Sequence, residues 1–113
     1  MKNILLIGGE GYIGNIVSEK LLYAGYSVIS FDNLLYGNNL CVLNHIHHPN
    51  YKFIFGDMVK RNELEPVLKN VDTVVLLAGL VGDPITKKYP DESIIINNKG
   101  VNKVVELCAE KDI

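Results

Sequence analysis

Short apolar runs and longer amphipathic stretches alternate along this chain. Asn3 to Ile7 (NILLI) is almost wholly apolar and is ended by Gly8 and Gly9, which predicts a strand covered on both faces. From Tyr12 to Ala24, Ile13, Ile16, Val17 and Leu21 recur at helical spacing with Glu19 and Lys20 opposite, and Gly25 supplies a left-handed stop. Ser27 to Phe31 (SVISF) predicts a second strand, ending at Asp32. Asn33 to Asn50 has mixed polarity and no period, so it reads as a long loop with one short helical turn around Asn39 to Leu43. Tyr51 to Phe55 alternates, with Tyr51, Phe53 and Phe55 on one face and Lys52 on the other, as suits a strand at or near a sheet edge. Arg61 to Lys69 places Leu64, Val67 and Leu68 on one face of a short helix, and Asp72 to Leu77 ends in an apolar run that predicts a strand buried on both sides. A loop with Gly79, Gly82, Pro84 and Pro90 leads to a last helix from about Asp91 to Glu110, with an inner face of Ile94, Val101, Val104, Val105 and Cys108.

Strands separated by helices pair in parallel through right-handed crossovers. The expected fold class is therefore α/β: four parallel strands in the order 3-2-1-4 with flanking helices, half of a doubly wound sheet. In such sheets a ligand sits beyond the carboxyl ends of the strands where the strand order reverses, here between the strands ending at Ile7 and at Leu77.

Composition narrows the partners. The 113 residues are 48% hydrophobic and 21% charged with 4 prolines, which excludes disorder, collagen-like repeats and coiled-coil rods. A net charge of -2 offers no broad basic face, so neither nucleic acid nor a membrane surface is expected as a partner. The apolar run Ile4 to Ile7 is too short for a signal peptide or a bilayer span. Cys41 and Cys108 lie far apart and read as free thiols in a reducing cytoplasm. Cys41, His45, His47 and His48 cluster in the long loop, but no complete ligand set is evident and no metal is expected. Asp91 and Glu92 suit the first turn of the last helix rather than a two-carboxylate site.

The strongest chemical signal is Gly8-Gly9-Glu10-Gly11-Tyr12-Ile13-Gly14, which leaves a strand and opens a helix. Glycine there lets the backbone turn tightly and approach a pyrophosphate, while the helix opening near Tyr12 aims free N–H groups and its positive dipole end at that anion. Gly14 lets the helix lie close to the strand. No Gly-Lys-Ser/Thr follows, which excludes a P-loop. Asp32, at the end of the second strand, can accept hydrogen bonds from an adenosine ribose and would repel a 2'-phosphate, favouring NAD over NADP. Its alternative role is to cap a turn with Asn33.

With these residues placed, the sequence resembles the extended short-chain dehydrogenase/reductase family, specifically its NAD-dependent nucleotide-sugar epimerases and dehydratases, whose fold is of the Rossmann type. Gly8, Gly11 and Gly14 match that family's Gly-x-x-Gly-x-x-Gly spacing, and Phe31-Asp32-Asn33-Leu34 with Tyr36-Gly37 matches its segment after strand two. Gly56-Asp57-Met58, Leu77-Ala78-Gly79 and Asn97-Asn98-Lys99-Gly100 resemble its later motifs, so the likeness covers essentially the whole chain. The resemblance implies that the Gly8 to Ile13 turn, with Gly8, Gly11, Tyr12 and Ile13, holds the pyrophosphate of NAD, that Gly14 belongs to the same cofactor-binding motif, that Asp32 and Asn33 hold the adenosine ribose, and that Asp57 and the Met58 backbone contact the adenine edge. It places Ala78 and Gly79 under the pyrophosphate and nicotinamide ribose, with Leu80 nearby. Asn97 either lies near the cofactor or ties its helix to the strand. Glu10 departs from the commonest family residue and is expected to turn its carboxylate to solvent.

The resemblance also implies a reaction in which a tyrosine of a Tyr-x-x-x-Lys motif deprotonates a sugar hydroxyl while hydride passes to NAD. None of the 6 tyrosines has a lysine four residues on, so no catalytic residue is assigned in this chain. Residues 1–113 are expected to be the N-terminal part of a NAD-binding domain, inactive alone, with the catalytic and nucleotide-sugar-binding part beyond it. A homodimer through the last helix or through the uncovered edge of the fourth strand would fit. The rival readings are a reductase or dehydrogenase of the same extended family, acting on a keto-sugar or hydroxysteroid, and a non-catalytic dinucleotide sensor.

Overall fold

The computed structural model describes residues 2–34, 44–78, 90–91 and 95–113, with residues 95–97 described through their backbone alone. Four parallel strands form one sheet: β1 (Asn3–Ile7), β2 (Ser27–Asp32), β3 (Tyr51–Phe55) and β4 (Thr73–Leu76), in the order β3-β2-β1-β4. Strand β1 aligns Asn3 with Ser27 and Ile7 with Phe31 on one side, and Ile4 with Thr73 and Ile7 with Leu76 on the other. The expected strand order is the observed one.

The apolar run of β1 is central because both of its faces are covered. Leu5 and Ile7 point into a cluster with Phe31, Leu64, Leu68, Val104 and Leu107, whereas Ile4 and Leu6 join Leu22, Val28 and Tyr51 on the opposite face. Helix α1 (Tyr12–Tyr23) covers the second face through Val17, Leu21 and Leu22. It stops where the sequence places a stop, with Gly25 at φ +96°. The first face is covered by α2 (Arg61–Leu64), by the 3-10 turn Glu65–Leu68 and by α3 (Val101–Glu110).

Four expectations are corrected. The helix expected over Arg61 to Lys69 tightens into a 3-10 turn from Glu65, because Pro66 cannot donate an N–H to the α-helical ladder; its inward residues Leu64, Val67 and Leu68 are nonetheless buried. The inner face of the last helix is Val104 and Leu107 with Cys108 packed against the same core, as expected for Val104 and Cys108, whereas Val105 is 60% exposed. Val105 and Leu107 lie about 200° apart on an α-helix, so only one of them can face the sheet, and it is Leu107 that joins Val104 in the core. Strand β4 is only partly buried, since it is an edge of the sheet among the described residues. At the other edge the alternation of β3 holds for Tyr51, Phe53 and Lys52, but Phe55, at the carboxyl end, is 66% exposed. The proposed turn at Asn39 to Leu43 lies outside the described residues, as do Cys41, Gly79 and Leu80; Ile94 does too.

Candidate functional site

The carboxyl ends of the four strands are tied together by backbone hydrogen bonds, which fixes the platform of the site. The Gly8 N–H donates to the Phe31 carbonyl at 2.7 Å, the Leu77 N–H to the Ile7 carbonyl at 2.8 Å and the Gly56 N–H to the Asp32 carbonyl at 3.2 Å. Gly8, Asp32, Gly56 and Leu77 therefore meet at one edge of the sheet. This is the edge where the order reverses between β1 and β4.

From that edge the chain turns through Gly8, at φ +86°, into α1. A Cβ on Gly8 would lie 2.6 Å from the Ala78 nitrogen, and one on Gly14 would lie 2.5 Å from the Gly9 carbonyl oxygen. Both contacts are with backbone, which has little room to yield, so these two glycines are required by the fold itself. Gly11 is different. Its φ of -79° and ψ of -179° suit any residue, and the nearest atom to a Cβ built there is the Gly8 oxygen at 3.6 Å, an ordinary contact. The fold leaves room at Gly11 that a side chain would fill.

Gly11 is also the N-cap of α1, and no side chain among the described residues caps that end. The first ladder bond is the Asn15 N–H to the Gly11 carbonyl at 3.0 Å, so the N–H groups of the first turn lack ladder partners. No carboxylate lies in that first turn to oppose an anion. Tyr12 and Ile13 are 86% and 61% exposed, which leaves this helix end open to solvent. Together the turn and the helix end fit a pyrophosphate.

Asp32 closes one side of this cradle. Its Oδ1 accepts the Leu34 N–H at 2.7 Å, the turn-capping role foreseen as its alternative, with Leu34 at φ +56°. Its Oδ2 accepts the Glu10 N–H at 3.0 Å. Each oxygen has a further lone pair, so the carboxylate can hold the turn and still accept from ribose hydroxyls. Asn33 follows directly, half-buried. At the end of β3, Asp57 Oδ1 accepts the Val59 N–H at 3.1 Å and the Asp57 N–H donates to Glu63 Oε1 at 3.0 Å. Met58 follows Asp57 and is 5% exposed, within the core cluster. Asn97 lies in the π-helical stretch.

Glu10 does not turn to solvent. It is 1% exposed, and its Oε2 accepts hydrogen bonds from the Ser30 hydroxyl and the Tyr51 phenol. The carboxylate lies on the α1-facing side of the sheet because two hydroxyls there replace the water it leaves. Burial pushes the Tyr51 phenol well above its ordinary range, and the hydrogen bond to Glu10 adds to that rise. Ser30 and Tyr51 are residues that periodicity treats as strand fillers. The available signal was a hydroxyl at an inward position of an otherwise apolar strand. His45 lies beside Tyr51, with ring centroids 5.6 Å apart, and its Nε2 is 3.3 Å from the Asn15 carbonyl. Among the described residues no cluster of His, Cys, Asp or Glu is arranged to hold a metal ion.

A model of the NAD dependent epimerase/dehydratase family matches residues 4–113. Human sterol-4-alpha-carboxylate 3-dehydrogenase, decarboxylating, is 30% identical over 112 residues, 99% of this chain and 27% of that protein. Zebrafish (Danio rerio) UDP-glucuronic acid decarboxylase 1 is 30% identical over 95% of this chain and 24% of its own length. Among solved structures, dTDP-glucose 4,6-dehydratase from Bacillus anthracis in complex with NAD superimposes with a TM-score of 0.82 at 32% identity, covering 98% of this chain and 34% of that one. The chain thus spans about a quarter to a third of the length of these relatives.

Proposed function

This chain belongs to the NAD-dependent epimerase/dehydratase family, and from that premise we propose that it is the NAD-binding portion of an enzyme that oxidises a hydroxyl carbon of a nucleotide-linked sugar. The observation that carries the reading is the juxtaposition of the uncapped N-terminus of α1, the open space at Gly11 and the Asp32 carboxylate bonded to the Glu10 N–H. Bound NAD supplies a hydride acceptor. The chain's own residues would bind and orient it: the N–H groups of Tyr12 and Ile13 at the uncapped end of α1 would face the pyrophosphate beside Gly11, with Gly8 and Gly14 fixing the turn. Asp32 and Asn33 take the adenosine ribose. Asp57 and the Met58 backbone would meet the adenine edge and Ala78 would lie on the path toward the nicotinamide, with Asn97 in the helical stretch that precedes α3; Gly79 and Leu80, assigned to the same path by the resemblance, lie outside the described residues. A carboxylate at Asp32 disfavours a 2'-phosphate, so NAD is preferred to NADP.

None of the tyrosines of this sequence has a lysine four residues on, so the reading assigns cofactor binding to these residues and no proton-transfer role. The zebrafish and Bacillus anthracis relatives, named for UDP-glucuronic acid and dTDP-glucose, support a nucleotide sugar as substrate. The human relative, named as a sterol carboxylate dehydrogenase, favours a second reading in which another alcohol is oxidised by the same cofactor. No helix among the described residues is long and apolar enough to cross a membrane, and a cytoplasmic enzyme that dimerises through α3 or the β4 edge fits the reading. Calorimetric titration of NAD into the chain and into Asp32→Ala tests it. The expected result is binding that weakens about tenfold in the variant, the loss of one charge-assisted hydrogen bond. Equal binding by both, or by neither, overturns the assignment.

A further inference from the structure

A carboxylate in the middle of a turn built to receive a pyrophosphate is a liability unless it is held away from the anion. Here it is held, and the holding connects three parts of the site. The Glu10 side chain descends from the turn into the α1-facing side of the sheet, where Ser30 of β2 and Tyr51 of β3 both donate to Oε2. Ser30 is fully buried and Tyr51 nearly so. From the same residue, the backbone N–H donates to Asp32 Oδ2 at 3.0 Å. Gly9 belongs to the same arrangement, because a Cβ there would collide with the Ser30 hydroxyl.

We propose that Glu10 is a positioning residue for the dinucleotide: its carboxylate, clamped by Ser30 and Tyr51, fixes the glycine turn, and through the Glu10 N–H fixes the Asp32 carboxylate in the orientation that receives the ribose. The proposal rests on the NAD-binding reading above. Its physical basis is that a buried carboxylate receiving two hydroxyl donors is held more firmly than a neutral acceptor would be. An exposed turn residue would leave both the turn and Asp32 free to relax. The charged groups around the Tyr51 phenol are Glu10 and Asp32, both of which raise its titration, while Ser30 lowers it.

The test is a double-mutant cycle on NAD affinity with the full 113-residue chain, using Glu10→Gln, Asp32→Asn and the pair. Glu10→Gln keeps length and shape while removing the charge. It is expected to weaken NAD about tenfold in the otherwise unchanged chain, and less than about twofold when Asp32→Asn is already present, because its effect passes through Asp32. Ser30→Ala and Tyr51→Phe each remove one donor and are expected to weaken NAD in the same direction. They serve as the reporting variants if Glu10→Gln does not fold. A second readout needs no ligand: in Glu10→Gln the Tyr51 phenol, followed by NMR, titrates at lower pH. Undiminished NAD affinity in a folded Glu10→Gln, or a loss that simply adds to that of Asp32→Asn, overturns the positioning role while leaving the NAD reading intact. Failure of the unaltered chain to bind NAD overturns the NAD reading itself, and the positioning role with it.

Discussion

Replacing Gly11 by alanine separates a glycine kept for a ligand from one kept for the fold. At φ -79° and ψ -179° alanine is unstrained, and its Cβ would meet only the Gly8 oxygen at 3.6 Å. Two effects on stability oppose each other. Alanine reduces the freedom of the unfolded chain, worth about 0.4–1 kcal/mol in favour of folding. At an N-cap it is a poorer residue than glycine by roughly 0.5–1 kcal/mol. The net change should stay within about 1 kcal/mol, which for a domain of this size is a melting shift of at most about 4–8 °C. Binding should respond far more. A methyl group would stand in the space through which the pyrophosphate approaches the first N–H groups of α1, and losing one charge-assisted hydrogen bond costs about 1.5–3 kcal/mol, roughly ten- to a hundredfold in affinity. Thermal denaturation and calorimetric titration of NAD on the same preparation measure both quantities. A Gly11→Ala chain that melts near the original temperature and binds NAD within twofold of it would refute the argument that this space is reserved for the cofactor.

Gly14→Ala should behave oppositely, losing up to about 2 kcal/mol of stability by denaturant titration: the new Cβ would lie 2.5 Å from the Gly9 oxygen and 2.8 Å from the Gly8 oxygen, contacts with rigid backbone that put the overpacking cost near the upper end of about 1–3 kcal/mol, against a helix-propensity gain of about 1 kcal/mol. Glu65 is held below the usual carboxylate range by its hydrogen bond and charge interaction with Arg61, at 2.9 Å. A group whose folded pKa is lowered stabilises the fold above its unfolded pKa and loses that contribution as pH falls through the carboxylate range. The melting temperature should therefore drop on acidification, and Arg61→Ala should make that drop shallower.

Much of the fold is legible in the sequence because its signals are local and strong. Asn3–Ile7, Tyr12–Tyr23, Ser27–Asp32 and Tyr51–Phe55 follow from runs and periods bounded by glycine or polar residues. The inner face of the last helix is less legible, because apolar residues at Val105 and Leu107 point to opposite sides of one helix and only the packing against the sheet selects Leu107, at 1% exposure, over Val105. The turn and Asp32 were legible in the same way, since a glycine pattern between strand and helix and an acid at the next strand end are sequence features. What was not legible is the partnership of Glu10 with Ser30 and Tyr51, 20 and 41 residues away. A charged residue in a loop reads as solvated until the sheet order brings two hydroxyls beneath it, and only the three-dimensional register does that.

The most direct test of the central claim is an amide NMR titration of the isotopically labelled chain with NAD. The account predicts saturable shifts concentrated at Gly8, Gly11, Tyr12, Ile13, Asp32, Asn33 and Asp57, with the outward face of α3 around Val105 unmoved. Absence of saturable shifts, or shifts centred away from the carboxyl ends of β1 and β2, would contradict it.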